Sequence, residues 1–384
     1  MDHIALLDSW LFAIIEAAVY IVVCNQPLNY SGIQIMCVKE TQGNMAYQCW
    51  DLHVQQQSSG LGRRGFLSAL GAAGLVATAA KSATAFDEKA SDDKRPERPA
   101  EALIKELYSS LDDSQKSSVV LPYNHGAENG KAASRHGMYN APFGGKKIGD
   151  NYTTAQQDLI EKILRAMTRD DDGYIKLTRA GRFDNSKNLQ GCGATMFGTP
   201  GDDNKFSFVF TSHHLTVRCD GNSSPDEAFG GPLYYGHSAV GYATGNVYYY
   251  QTKKANKVFE ALDGGQQKQA LCSGNPGEEI KSIQFREEKS IPGIGVDALS
   301  NDQQELVADL MRSVLQPFRE EDAQEVMDII EHNGGMDKLN LAYYQDNDTK
   351  DKVRWHFWRI EGPGMVWNFR PLPHVHCFVN IARV

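Results

Sequence analysis

The sequence predicts an α+β fold in which two pseudo-symmetric halves, each a set of helices followed by strands, pack as one large domain. Two observations support this expectation. The order of helices then strands occurs twice, at about residues 150–220 and 300–384. Each copy also opens with a Gln-Gln pair, at Gln156 and at Gln303, ahead of apolar residues spaced three and four apart. The shared order and the shared pair favour an internal duplication.

The individual elements follow from the period of the apolar residues, because a spacing of three and four predicts helices and continuous aromatic or β-branched runs predict strands. A helix over 102–111 is expected ahead of the first copy, and a helical segment with Gln266 and Gln267 lies between the copies. The Gly-, Asn- and Lys-rich stretch 124–150 is expected to be a long surface loop. Within the copies, the expected ranges are helices from 154 and over 175–180 with strands over 206–219, then helices from 300 and over 322–332 with strands over 353–369.

A segment upstream of these copies has the features of an export signal. Arg63 and Arg64 precede a Phe-Leu pair and an apolar run, Ala69–Ala80, that is too short to span a bilayer, and Ala83–Ala85 supplies an A-x-A cleavage site. The pattern is typical of a twin-arginine signal peptide over 58–85. It predicts a bacterial protein that the twin-arginine translocase exports in folded form, so that the protein is periplasmic or secreted. The alternative is a basic loop ahead of a buried, Ala-rich helix.

The residues on either side of this signal are interpreted as lying outside the folded domain. Residues 1–57 differ in composition from the rest of the chain and are interpreted as a spurious or non-conserved N-terminal extension. The apolar stretch Ile4–Cys24 contains acidic residues and is a poor membrane span, although a true N-terminal anchor remains the alternative. The charged, Pro-containing residues 86–100 predict a disordered linker. Residues 101–384 are then expected to form the single domain, with no stable membrane span.

Composition and motifs exclude several classes of function. The formal net charge is −9 and the chain has no basic cluster, so nucleic acids are not expected partners. The sequence contains no nucleophile elbow, P-loop, dinucleotide fingerprint, HExxH or haem-attachment motif. The cysteines after the signal match no zinc pattern, and either disulfides or buried free thiols are compatible with their spacing. They are Cys192, Cys219, Cys272 and Cys377.

The most specific candidate for chemistry is an H-x-H motif near the C-terminus. His374 and His376 flank Val375 in a segment that reads as a strand. Because side chains alternate between the two faces of a strand, both imidazoles are expected on one face and Val375 on the other. Two nitrogen donors placed close together suit one metal ion. The motif therefore predicts half of a metal site.

Further histidines are candidates for the other half of the site. His213 and His214 are adjacent, so in a strand only one of them can face inward. Alternation from the aromatic positions Phe206 to Phe210 favours His214, although a bulge would exchange the two residues. His237 follows a Gly- and Pro-rich segment and is a weaker candidate. The candidate metal ligands are thus His214, His374 and His376, with His213 and His237 as further possibilities.

Several stretches in a fixed order resemble a bacterial family of unknown function, the domain-of-unknown-function family 3500. The resemblance covers about residues 150–384 and implies that the paired histidines and the H-x-H belong to one shared site. It implies no reaction. The chain departs from the family pattern after His376, which indicates a divergent subgroup. The stretches are the Gln-Gln pair at 156–157, Met196–Pro200, His213–Leu215, Gly230–Pro232, the pair at 303–304, Trp355–Gly364 and Pro373–His376.

Two functions of different classes fit these observations. The first is an exported metal-binding protein that acts as a His-ligated metalloenzyme, an oxidoreductase or a hydrolase, on an unknown small-molecule substrate. Three neutral imidazoles without an adjacent carboxylate favour copper or zinc over iron. The second is a non-catalytic secreted binding or structural protein, whose histidines complete a polar core. The sequence leaves open whether the protein is an enzyme.

Overall fold

One mixed sheet of eleven strands organises the part of the chain that the computed structural model describes, residues 99–201, 204–278, 285–286, 290–345 and 353–384. The strand order is β1-β2-β3-β4-β5-β11-β10-β9-β8-β6, and β7 pairs with β8 beside this path. The pairs β1/β2 and β6/β8 are parallel and the others are antiparallel. The strands are β1 (Val120–Leu121), β2 (Gly193–Gly201), β3 (Asn204–Ser212), β4 (Leu215–Cys219), β5 (Leu233–His237), β6 (Leu271–Ser273), β7 (Ile294–Gly295), β8 (Asn340–Gln345), β9 (Phe357–Gly362), β10 (Met365–Arg370) and β11 (Val375–Ile381).

Nine α-helices accompany the sheet within the described residues, and their apolar side chains share one core with it. Ile160 and Leu310 from two helices and Trp367 from β10 are fully buried in this core. The α+β fold in one domain is therefore confirmed. The helices are α1 (Pro99–Ser110), α2 (Asp113–Val119), α3 (Ile148–Asn151), α4 (Thr154–Ala166), α5 (Asp171–Thr178), α6 (Tyr249–Ala261), α7 (Gly264–Ala270), α8 (Asn301–Leu315) and α9 (Glu320–His332).

The Gln-Gln pairs that marked the two predicted copies have a structural role at the starts of α4 and α8. The Thr153 side chain accepts a hydrogen bond from Gln156 N, and the Gln156 side chain accepts one from Thr153 N. Ser300 and Gln303 form the same capping box at α8. A cap of this kind stabilises a helix by about 1 kcal/mol. The cap of α4 is Thr153, and the helix begins at Thr154, as the sequence predicted.

The order of elements along the chain repeats. The series α1-α2-β1, α4-α5 and β2 to β5 is followed by α6-α7-β6, α8-α9 and β8 to β11. The four-stranded runs meet where β5 pairs with β11 at the centre of the sheet. This repeated order agrees with the predicted duplication, although it begins earlier in the chain than the copies at 150–220 and 300–384. The pseudo-symmetry of the two halves stays a prediction.

Different parts of the chain pack on the two faces of the sheet. Along β11, Val375 and Cys377 belong to the core that the helices share, whereas Phe378 packs with Tyr234 on the opposite face. Chain between β1 and α3 lies against this second face, where Tyr139 N donates to Thr216 Oγ1 at 2.9 Å. Most of the long surface loop predicted over 124–150 is exposed and irregular, as expected, but this part of it packs on the sheet through the bond to β4.

The remaining expectations about domain organisation concern other parts of the chain. The predicted extension at 1–57, the signal peptide at 58–85 and all but the last two residues of the linker at 86–100 lie outside the described residues. Among the residues that are described, no helix has the length and apolar character needed to cross a membrane. Cys192, Cys219, Cys272 and Cys377 are free thiols.

Candidate metal centre

The H-x-H motif lies at the start of β11, as the period of a strand predicted. Val375 is fully buried against the helices, while His374 and His376 are half-buried on the other face. The two Nε2 atoms are 2.9 Å apart and the ring centroids are 4.7 Å apart. The prediction that both imidazoles share one face is confirmed.

The paired histidines lie in a hairpin turn, not in a strand. Ser212 pairs with Leu215, so His213 and His214 form the two-residue connection between β3 and β4, and His214 has a φ of 64°. The alternation argument that favoured His214 is therefore wrong, because the period of two does not continue through a turn. The rings of His213 and His214 are close to one another, with centroids 3.8 Å apart. The expectation that they would face opposite sides is wrong for the same reason.

His214 nevertheless reaches the H-x-H motif, because the hairpin turn packs tightly on the central strand pair. Gly236 of β5 donates its N–H to His214 O at 2.9 Å and is the register partner of His376. A Cβ at Gly236 would lie 2.2 Å from Val375 O and 3.4 Å from the Cβ of His214, so the close approach requires glycine. Asn140 holds the turn from the other side, since its Oδ1 accepts the His214 N–H at 2.7 Å.

The turn and β11 together bring three imidazoles to one point. The ring centroid of His214 lies 4.8 Å from that of His374 and 5.0 Å from that of His376. Ligand nitrogens of all three residues lie within 4.8 Å of one another. Metal–imidazole bonds of about 2.0–2.1 Å place two nitrogens of a tetrahedral site roughly 3.4 Å apart. Small side-chain rotations would bring the three nitrogens to that spacing.

A buried carboxylate orients His214. The Nδ1 atom of His214 lies 2.8 Å from Asp184 Oδ2, and the side chains are 2 % and 7 % exposed. Arg179 Nε lies 3.6 Å from the other oxygen of Asp184. Burial raises the pKa of Asp184, but the hydrogen bond from His214 and the charge of Arg179 outweigh it, so the net pKa is below the usual value. The carboxylate is therefore ionised and accepts Nδ1–H, which leaves Nε2 of His214 free to bind a metal.

A second carboxylate contacts His376 in the same way. Nδ1 of His376 lies 3.2 Å from Glu278 Oε2 and 2.6 Å from Arg370 Nη2. Since a guanidinium only donates, the two contacts belong to different tautomers. When Nδ1–H donates to Glu278, Nε2 presents a lone pair to the shared point. When Nδ1 accepts from Arg370, Nε2–H can donate to His374 Nε2. Metal binding requires the first tautomer.

The electrostatics of the group keep its imidazoles neutral. Burial lowers the pKa of His374 to about 4, with further lowering by the neighbouring His376, His214 and Arg370. Burial also lowers the pKa of His214 and of His376, against the opposing effect of their carboxylate partners. At neutral pH three unprotonated imidazoles therefore face one point, which is the state that a metal ion requires.

His213 and His237 lie beside this centre but outside the three-histidine group. Asp184, His213 and His214 form a second group of donor atoms, also within 4.8 Å of one another. His237 Nε2 is 3.9 Å from Asp184 Oδ1, while its Nδ1 accepts Val247 N–H at 3.3 Å. Because Arg179 already neutralises Asp184, this second group is the poorer site for a cation.

Sequence reasoning found the imidazoles and missed the groups that orient them. Asp184, Glu278, Arg179 and Arg370 are single charged residues in segments with no recognisable motif, so no local pattern identified them. Asp184 is 30 residues from His214 and Glu278 is 98 residues from His376, so only the fold brings these carboxylates to the site. The structure itself marks two of the four charged residues, since Arg179 and Asp184 both have positive φ, at 59° and 47°.

Comparison with known proteins gives one match. A family model described as "Protein of unknown function (DUF3500)" matches residues 93–379. This stretch includes both groups of metal-binding candidates and the two carboxylates that contact them. No curated protein matches the chain, and neither does any solved structure.

Proposed function

Since the chain belongs to the DUF3500 family, whose description gives no activity, we propose a function from the site itself. The protein is an exported metal-binding protein that holds one ion through His214, His374 and His376. It acts as a His-ligated metalloenzyme on a small-molecule substrate, as an oxidoreductase or a hydrolase. The ion is copper or zinc.

One observation carries this proposal. The Nε2 atoms of His374 and His376 are 2.9 Å apart, and both pKa values are lowered, so both rings are neutral at pH 7. At that distance the two Nε2 lone pairs repel one another in the tautomer that donates Nδ1–H to Glu278, unless a cation lies between them. With His214 beside them, a metal ion satisfies all three nitrogens at once.

The donor set supports copper or zinc. Imidazole suits both ions, whereas the common non-haem iron site has two histidines and a carboxylate. Asp184 and Glu278 contact the Nδ1 atoms of His214 and His376, which are not the nitrogens that would bind the ion. The carboxylates would therefore orient the ligands without binding the ion themselves. Three protein ligands leave a fourth position open, which is typical of catalytic sites. His374 and His376 are half-buried, so substrate or water can approach from their side.

The geometry argues against a serine hydrolase at this place. Ser238 Oγ, His214 and Asp184 are adjacent, but Ser238 Oγ lies 3.4 Å from the same Nδ1 that bonds Asp184. A nucleophile triad needs the serine and the carboxylate on opposite nitrogens of the imidazole. With Nδ1 occupied by Asp184, Nε2 of His214 is left for another partner, and the rings of His374 and His376 lie beside it, which supports a metal ligand instead.

Elemental analysis of the exported protein, purified without chelators from its native host, tests the proposal. We expect about one copper or zinc ion per chain, because three imidazoles form one centre. Dialysis against a chelator should remove the ion, and one equivalent should restore it. Protein that contains no stoichiometric metal, and takes up none on addition, would favour the non-catalytic binding or structural protein instead.

The export part of the proposal has its own test. Replacing Arg63 and Arg64 together with lysine should abolish export, since the translocase reads the arginine pair. The exported wild-type protein should begin at or near Phe86, after the A-x-A site at Ala83–Ala85. Cell fractionation and N-terminal sequencing measure both outcomes. An exported protein that begins before residue 60 would contradict the signal assignment.

A further inference from the structure

Two series of contacting side chains, or relays, converge on the three-histidine group. In the first, Arg179 Nε lies 3.6 Å from Asp184, and Asp184 lies 2.8 Å from Nδ1 of His214. In the second, Arg370 Nε lies 3.3 Å from Glu278, and Glu278 lies 3.2 Å from Nδ1 of His376. Each relay thus runs from an arginine to a carboxylate to the far nitrogen of a ligand imidazole.

The first relay contains residues with unfavourable backbone φ angles. Arg179, Phe183 and Asp184 all have φ between 47° and 59°, in the left-handed region that non-glycine residues rarely adopt. Such conformations persist only where the surrounding structure enforces them, and they concentrate at functional sites. Here the backbone that adopts them delivers both charged members of the relay. The Arg179 side chain is anchored by a hydrogen bond from its Nη1 to Tyr248 OH at 3.2 Å.

The second relay is fixed by the sheet. Arg370 of β10 is the register partner of His376 of β11, so their side chains are cross-strand neighbours on one face. Glu278 comes from the chain that follows β6, and its side chain is 19 % exposed. The two relays therefore come from unrelated parts of the fold, yet each places an arginine-paired carboxylate on Nδ1 of an imidazole, and Arg370 additionally contacts His376 Nδ1 at 2.6 Å.

We propose that Asp184 and Glu278 are positioning residues, which select the ligand tautomer and favour a divalent ion over Cu⁺. This inference rests on the proposed function. Each carboxylate accepts Nδ1–H of its imidazole and so directs the Nε2 lone pair to the metal, and it makes that imidazole a stronger donor. Each carboxylate also offsets the repulsion between its neighbouring arginine and a bound cation, and this Coulomb stabilisation grows with ionic charge. Zn²⁺ and Cu²⁺ gain twice as much from it as Cu⁺ does.

Metal competition on two variants tests the relays. Asp184→Asn and Glu278→Gln keep the size of each side chain and remove its charge. We expect Zn²⁺ affinity to fall roughly 10–100-fold in each variant, as is typical when the hydrogen-bond partner of a metal ligand is lost. Because attraction scales with charge, Cu⁺ affinity should fall by only about the square root of that factor, roughly 3–10-fold. Chromophoric chelators measure both affinities on the full chain.

The matched control is Asp171→Asn, since Asp171 is an exposed carboxylate of α5 with no contact to the site. The Co²⁺-loaded protein gives a second readout, because the visible spectrum should shift in both relay variants and not in the control. Equal loss of Zn²⁺ and Cu⁺ affinity, or no loss of either, would overturn the inference. If the wild-type protein itself binds no Zn²⁺ and no copper, the proposed function has failed instead. A folding defect in one variant leaves the other relay to decide.

Discussion

Replacing His374 or His376 with alanine should remove most of the bound metal. Each change takes one of three nitrogens away from the centre, and the remaining pair holds an ion only weakly. β11 contains no histidine other than His376, and His374 directly precedes the strand, so neither ligand has a substitute imidazole there. Elemental analysis after dialysis should find far less than one ion per chain. The affinity for the metal should fall by more than the roughly 10–100-fold expected when a carboxylate that hydrogen-bonds to a ligand is replaced.

The control for this experiment is His332→Ala. His332 is the last residue of α9, is exposed, and lies outside both candidate groups. Its loss should leave metal content unchanged. Thermal unfolding of the metal-free proteins should show similar midpoints for all three variants, because none of these imidazoles is fully buried. If both His374→Ala and His376→Ala retain stoichiometric metal, the site lies elsewhere.

Single alanine variants of the hairpin histidines should give different results. His214→Ala should lose the metal, because the His214 ring is 4.8 Å from that of His374. His213→Ala should keep it, since His213 belongs only to the group with Asp184. His214 has a φ of 64°, which alanine adopts less readily than asparagine. His214→Asn is therefore the matched variant that removes the ligand with less disturbance of the turn.

The outcomes of this comparison separate three assignments. Loss of metal in His214→Ala and His214→Asn, with retention in His213→Ala, supports the proposed ligand set. Loss in His213→Ala alone would reverse the assignment of the two residues. Loss in none of the three would remove the hairpin turn from the site. The affinity of each variant for Zn²⁺ is the quantity to compare.

The sequence was most informative where a local period sets the geometry. The alternation of a strand placed His374 and His376 on one face, and the structure has them there. Helical spacing after the Gln-Gln pairs located α4 and α8, whose caps those pairs complete. The α+β class followed from the order of these patterns. Each of these features depends on residues within a few positions of one another.

The sequence could not predict which distant segments of the chain come together. His214 was the favoured hairpin ligand for a reason that the structure contradicts, because it lies in a turn where alternation does not apply. Its approach to β11 depends on the glycine at Gly236, in a strand that is distant in sequence. Asp184 and Glu278 reach the site only through the fold. No local pattern distinguishes them from other acidic residues of the chain.

The central claim is that one ion is held by His214, His374 and His376. X-ray absorption at the metal edge of the loaded, exported protein tests it most directly. We predict a first shell of three imidazole nitrogens at about 2.0–2.1 Å, with one further light atom at the open position. The imidazole scattering should weaken in the His374→Ala and His376→Ala variants. A first shell of sulfur at about 2.3 Å, or one without imidazole scattering, would contradict the claim.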